Sequence, residues 1–203
     1  MIFNDNFGIN KKNSSNFSCS FEPMKYILLF LFTIVSQVIF CQEIDMNGSY
    51  IKFDSKYLQN AIIEGIVTGI KGLAVIDKNN IESSQLDINI DITTINSGYE
   101  KRDVALLKKD ILDTMQFPLI FFKSSKFEQN GTDYWVTGNL KIKDTTKEIR
   151  FLFTISEAPK KIIIKGKTTI DRFDFNIGEN ISTITAAREV NIYINFVLKI
   201  PAQ

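Results

Sequence analysis

The sequence predicts an all-β domain closed into a barrel, with one short helix. Three observations carry that expectation. Apolar and polar residues alternate with period two through most of the chain after residue 41. Clusters of Asp, Asn, Gly, Lys and Thr separate the alternating runs at short intervals. Helical spacing of apolar residues is convincing in one segment alone. Many antiparallel strands beside a single helix favour closure, because a closed sheet leaves no sticky edge.

The elements follow in chain order. Strands are expected at 50–57, 61–70 and 72–77, ending in the turn signal Asp77-Lys78-Asn79-Asn80. Over 86–92, Leu86, Ile88, Ile90 and Ile92 alternate with Asp87, Asn89, Asp91 and Thr93. A helix is expected over about 103–113. Asp103 serves there as N-cap or first-turn acid, Val104, Leu107 and Ile111 form the apolar stripe, and Lys108 and Lys109 face water. A strand at 119–127 holds the pair Phe121-Phe122 and leads to the turn Gln129-Asn130-Gly131. In the next run Tyr134, Val136, Gly138, Leu140 and Ile142 share one face, against Trp135, Thr137, Asn139 and Lys141 on the other. Lys143-Asp144-Thr145 turns the chain into a strand carrying Ile149, Phe151, Phe153 and Ile155. A strand at 161–171 and a short one at 173–177 precede the turn Gly178-Glu179-Asn180. The longest alternation closes the chain: Val190, Ile192, Ile194, Phe196, Leu198 and Ile200. Pro118, Pro159 and Pro201 fall at element boundaries, where a missing donor does least harm.

The 203 residues suffice for one domain with a sizeable core. Seventeen phenylalanines against one tryptophan suit a bulky apolar interior. Residues 24–41 read as a secretory signal, with Lys25 as the basic start and Ile27 to Val35 as the apolar stretch. Cleavage is expected after Cys41. A membrane anchor is the rival reading, but Ser36-Gln37 interrupts a run already short of the ~20 residues a span needs. Lipidation of Cys41 would need small residues before it, where Val38-Ile39-Phe40 stand. Residues 1–23 are then either a misplaced start ahead of Met24 or a disordered extension. The domain proper is 42–203, periplasmic or secreted, with no stable membrane insertion after cleavage. Processing removes Lys11, Lys12 and Lys25 against Asp5 and Glu22, leaving no net formal charge. Nothing in that balance suggests a nucleic-acid partner. Cys19 and Cys41 go with the removed part, so the domain holds together by its core alone.

Catalysis finds little support. The chain has no histidine, hence no imidazole base and no Ser-His-Asp or Cys-His device. Zinc normally takes His or Cys. Asp87 and Asp91 stand four residues apart on a polar strand face, too far and too solvated to share a proton. Asp77-Lys78-Asn79-Asn80 does not follow a calcium-loop spacing. No cofactor or metal site is expected. The candidate site is the apolar interior instead. In a barrel Leu86, Ile88, Ile90, Val136, Leu140, Phe151, Phe153, Ile192, Ile194 and Phe196 would all point inward. They would line a ligand cavity or fill a solid core; alternation does not separate the two. Gly65, Gly69, Gly138 and Gly166 would leave room along the wall or mark bends. With a filled core, the chain would act as an interaction module through its outer surface, where Trp135, Tyr193 and Val197 interrupt polar faces.

One ordered set of short motifs goes further. Arg102-Asp103, Leu106, Asp113, Phe117-Pro118, Phe122 with Ser124, Gly138-Asn139-Leu140 and Thr146-Lys147 occur in sequence. This order resembles the YceI-like family of polyisoprenoid-binding proteins, most closely over 84–155. The resemblance implies an eight-stranded, lipocalin-like antiparallel barrel around an elongated apolar cavity, with an isoprenoid or other long-chain lipid as ligand. It makes Arg102 a candidate for the ligand's polar head group, since a guanidinium suits phosphate; the competing role is structural, with Asp103 capping the helix. The family often carries a histidine two residues after that aspartate, where this chain has Ala105. The resemblance is weakest over 44–75, where Asp54-Ser55-Lys56 replaces a histidine-containing first strand.

Overall fold

Ten strands close on themselves in the computed structural model, which describes residues 42–58 and 61–200. They are β1 (Gln42–Ile44), β2 (Tyr50–Tyr57), β3 (Ala61–Val67), β4 (Gly69–Val75) and β5 (Gln85–Asp91). Then come β6 (Leu119–Asn130), β7 (Asp133–Ile142), β8 (Thr145–Ala158), β9 (Lys161–Asp171) and β10 (Glu189–Lys199). β1 and β2 are two parts of one stave, since both pair with β10. β3 and β4 form another, broken at Thr68; β3 pairs with β2, and β4 with both β1 and β5. Counted by staves, the barrel is eight-stranded, and every pairing is antiparallel. All of these pairings lie within 42–200, so the barrel closes without the residues before Gln42. The expected extension 1–23 and signal 24–41 lie outside the described residues. Among the described residues no helix is long and apolar enough to cross a membrane.

The break between β1 and β2 covers an outward side chain. Ser49 Oγ accepts from Val197 N at 2.9 Å, and Asp45 N donates to Val197 O at 2.7 Å. Gly48 lies flat on Val197, where a Cβ would come within 3.1 Å of Cγ2. Val197 is therefore buried and contributes nothing to an outer patch. Asp45, itself buried, takes Lys161 at 3.0 Å and Lys199 at 3.8 Å, which ties the first strand to the last two.

β6 carries a bulge. Ser124 pairs with Gly138 and Lys126 with Thr137, leaving Ser125 as the extra residue. The bulge shifts the inward parity, so Phe122 and Phe127 both face the core, five residues apart. Phe121, next to Phe122, points outward.

The helix differs from expectation. α1 spans Glu100–Leu106 and is over before the expected stripe is complete. Val104 is exposed, and Lys108, Lys109 and Asp110 give a continued helix no buried face to stabilise it. Of the two roles expected for Asp103, it takes that of first-turn acid; the N-cap is Tyr99, without a side-chain bond. The Asp103 carboxylate reaches back instead to accept from Ser97 N at 2.9 Å and from the Ser97 hydroxyl. The expected strand at 173–177 is a 3-10 turn at Arg172–Phe175, followed by Asn176 in the left-handed region. Ile92 likewise belongs to a 3-10 turn, at Ile92–Thr94.

Candidate functional site

The barrel interior is packed at one end and hollow at the other. In the packed half Phe127 meets Phe153 edge-on at 5.7 Å, and Phe122 meets Phe151 at 5.7 Å. Leu86, Ile88, Val136, Phe151, Phe153 and Phe196 all lie in this core, each at most 6% exposed. Glycines make room for the rings rather than for a ligand. A Cβ on Gly138 would stand 2.7 Å from Phe122 Cζ, and one on Gly166 would stand 3.0 Å from Phe151 Cε2. A Cβ on Gly65 would meet Phe53 Cζ at 2.5 Å, and one on Gly69 would meet the Asp91 Cβ at 2.7 Å. The wall is thus not left open at these four positions; each is occupied by a neighbouring side chain.

Beyond Gly138 the interior opens into a cavity of about 250 Å³. On β7, Leu140 and Ile142 line it, and on β5, Ile90 does. Ile120, Ile170, Val190, Ile192, Phe53, Ile63 and Val67 continue the wall around the barrel. Its roof comes from two connections. The first, between β5 and β6, contributes Ile92, Ile95, Leu106, Ile111 and Leu112; the second, between β9 and β10, contributes Ile177, Ile181 and Ala187. The two are fastened across the top. Gly178 N donates to Asp110 O at 3.0 Å, and Lys143 Nζ donates to Asn176 O at 2.6 Å and to Ile111 O at 3.3 Å.

Of the ten interior residues expected from the sequence, Ile90, Leu140 and Ile192 line this cavity. Ile194 is half-buried against the core but does not border the cavity, and the other six fill the packed half. Arg102 is not at the cavity. Its Nε donates to Ser97 Oγ at 2.8 Å and its Nη2 to Ser97 O at 2.6 Å, while the guanidinium lies 5.9 Å from the centre of the Tyr99 ring. Together Arg102 and Asp103 fasten the loop that leads into α1.

The arginine that does border the cavity is Arg172. It is buried, and its donors serve main-chain oxygens. Nε reaches Ala187 O at 3.0 Å; Nη1 reaches Ile177 O at 2.8 Å and also Gly178 O; Nη2 reaches Ile181 O at 2.6 Å and Ala186 O at 3.2 Å. Burial pulls its proton affinity below the ordinary arginine value, yet it stays a cation. Two guanidinium groups lie near the Phe173 ring, Arg172 at 4.1 Å and Arg188 at 5.3 Å from its centre. Arg188 bonds Asp171 at 2.5 Å and holds that carboxyl below the usual carboxylate range. Sequence reasoning missed Arg172. The available signal was a cation placed at the end of an apolar strand and just ahead of two aromatics, Phe173 and Phe175.

Two other hollows have mixed polar and apolar linings. One, of about 480 Å³, is bordered by Glu82, Asp87, Lys123 and Lys126, and another, of about 270 Å³, by Glu43, Asp45, Lys71 and Lys199. Among the described residues no three of His, Cys, Asp or Glu gather in a way that would hold a metal ion. On the outer surface, Trp135 lies under Arg150 at 4.4 Å and Tyr193 under Lys167 at 5.2 Å. Lys167 also stands between Leu152 and Tyr193 in the cross-strand row, so these side chains form no continuous apolar patch.

Comparison with known proteins agrees with this architecture. The family model described as YceI-like domain matches residues 42–198. The chain is similar to the protein YceI of Escherichia coli, 24% identical over 173 residues that cover 81% of this chain and 90% of the relative. Among solved structures it is similar to BcnA of Burkholderia cenocepacia, with a TM-score of 0.72, 25% identity, and coverage of 76% of this chain and 99% of that one. A polyisoprenoid binding domain from Saccharophagus degradans superposes with a TM-score of 0.63 over 79% of this chain and 98% of its own. That pair is 13% identical, so the likeness is one of fold.

Proposed function

Since the chain belongs to the YceI-like domain family, we propose that it is an exported protein that binds and carries an isoprenoid or related long-chain lipid. The observation that carries this reading is the cavity of about 250 Å³, walled by isoleucine, leucine, valine and phenylalanine. Such a wall favours hydrocarbon, at ~0.8 kcal/mol for each CH₂ taken from water. Its only polar side chains are Ser55, Lys56 and Arg172, with no histidine, cysteine or carboxylate among them, which favours binding over catalysis. The Saccharophagus domain is described as polyisoprenoid binding; the cavity chemistry is the reason to extend that ligand class here.

The volume sets a condition. It lies just below the ~300–1,000 Å³ usual for small-molecule sites. A long chain therefore enters only as the roof connections move outward, with the rest of the ligand leaving through the mouth. The test is mass spectrometry of lipid extracted from the natively purified protein. A long-chain isoprenoid or acyl lipid at near-equal molar ratio is the expected result. Protein that emerges empty and fails to bind a fluorescent isoprenoid would end the carrier reading. An outer-surface interaction module is the second reading; the cations over Trp135 and Tyr193 and the burial of Val197 weigh against it.

A further inference from the structure

Exposed apolar side chains are not spread evenly over this barrel. Seven large ones among the described residues are more than half exposed. Six of these belong to the segments around the cavity: Leu58, Ile62, Tyr99, Val104, Met115 and Ile184. Met46 alone lies at the packed end. Local pairing brings three of the six to one lip. Leu58 N donates to Thr185 O at 2.9 Å, beside Ile184, and Ile62 pairs across the β2–β3 ladder with Lys56, which borders the cavity. The other three lie on the β5–β6 connection, which also sends Leu106, Ile111 and Leu112 inward to line the cavity.

We propose that this end of the barrel docks reversibly on the surface of a lipid bilayer, with the six side chains entering the interface around the mouth. The inference rests on the carrier reading, because a long-chain lipid must pass between a bilayer and the cavity without crossing water. Continuity identifies the occupant: the apolar lip runs directly into the apolar wall. Charge then fixes the kind of surface. Lys101, Lys108 and Lys109 are exposed on the same connection, but so are Glu100 and Asp110. With the signs mixed, docking runs on apolar insertion and needs no anionic lipid. The lysine stems can lie along the interface with their ammonium groups in water.

The test uses the chain beginning at Gln42, whose barrel closes on itself, and a variant with Ile62→Ser, Val104→Ser and Ile184→Ser. These side chains are mostly in water, so their exchange leaves folding intact, which circular dichroism checks. Sedimentation with phosphatidylcholine vesicles is expected to carry down the parent chain, with partitioning reduced about tenfold or more in the variant. Raising the salt is expected to change neither value. In vesicle-free solution, both proteins should bind a fluorescent farnesyl analogue equally, while uptake of that analogue from vesicles slows in the variant. Equal partitioning of the two proteins overturns the docking proposal, as does a parent chain that ignores vesicles. A parent dimer that the variant converts to monomer, without vesicle binding, assigns the lip to a second copy and overturns it as well. Vesicle docking by a protein that binds no farnesyl analogue would instead sink the carrier reading alone.

Discussion

Ile88 and Ile90 offer a direct comparison of the packed and hollow interior. Both face inward on β5, two residues apart, and the sequence treats them alike. Ile88 is 1% exposed, and its cross-strand partners are Gly72 and Phe122. Ile90 borders the cavity, with Ile70 and Ile120 across from it. Phenylalanine at position 88 would press on the Phe122 ring and overpack, at a cost of about 1–3 kcal/mol. At position 90 the added atoms have about 250 Å³ to enter, so Ile90→Phe is expected to cost well under about 1 kcal/mol. Ligand affinity should move the other way. If the new ring displaces two or three methylenes of cargo, the loss is about 2 kcal/mol, or roughly thirtyfold. Ile192→Trp, at another lining position, should behave as Ile90→Phe does. Chemical denaturation gives the first quantity and displacement of a fluorescent isoprenoid the second. Equal stability losses at 88 and 90, or unchanged binding in Ile90→Phe, would refute the division into packed and hollow halves.

Gly138→Ala is expected to destabilise by about 1–3 kcal/mol, because its Cβ would stand 2.5 Å from Lys123 O as well as against the Phe122 ring. Gly65→Ala should cost less in denaturation but weaken ligand binding, because it pushes the Phe53 ring toward the cavity. Arg172→Met removes five hydrogen bonds to main-chain carbonyls, one buried and four partly buried, and should cost on the order of 3–5 kcal/mol. Limited proteolysis should then cut within 177–187, and intact resistance there would contradict the role assigned to Arg172. Acid should destabilise in a defined window: Lys161 holds the Asp45 carboxyl below its usual range, and Arg188 does the same for Asp171. Carboxylates depressed on folding add stability that is complete above their unfolded value, about 3.9, and lost as pH falls through the folded one. The denaturation midpoint should therefore stay level from about pH 5 to 8, where this histidine-free chain has no imidazole to titrate, and fall below about pH 4. Asp45→Asn should flatten that fall, and an unchanged acid limb would rule the pair out. N-terminal sequencing of the exported protein should begin near Gln42 or Glu43; a membrane-retained product with Met24 intact would contradict cleavage after Cys41.

Alternation was readable wherever a strand had one wet and one dry side. β5, β7 and β10 are placed correctly to within a residue or two. It failed where geometry departs from period two. The bulge at Ser125 switches parity inside β6, and the break at Thr68 falls where Gly69 packs against Asp91 and Thr94. The helix was misjudged because Val104, Leu107 and Ile111 match a helical stripe while Val104 has nothing to pack against. Alternation did not reveal the cavity; the family resemblance alone implied one. Ile88 and Ile90 are the same residue on the same face, and only the Gly138–Phe122 contact between neighbouring strands decides that one is packed and the other is not. Arg172 escaped notice for a related reason: its partners are backbone carbonyls, which leave no mark on composition.

The seam between the first and last staves has a consequence for the order of assembly. Every other seam joins staves that follow one another in the chain, and such local hairpins form quickly. The closing seam instead brings Asn191 onto Asp54, whose side chains meet at 2.7 Å across 137 residues of sequence. During synthesis nothing can close until the eleven residues of β10 have emerged. Before then the chain is an open sheet with bare edges along β2 and β9, and the future cavity is a groove open along its side. A chain that stops short of Glu189 keeps both edges and is a ready template for aggregation. A ligand already lying in that groove would be enclosed as β10 zips onto β9 and β2.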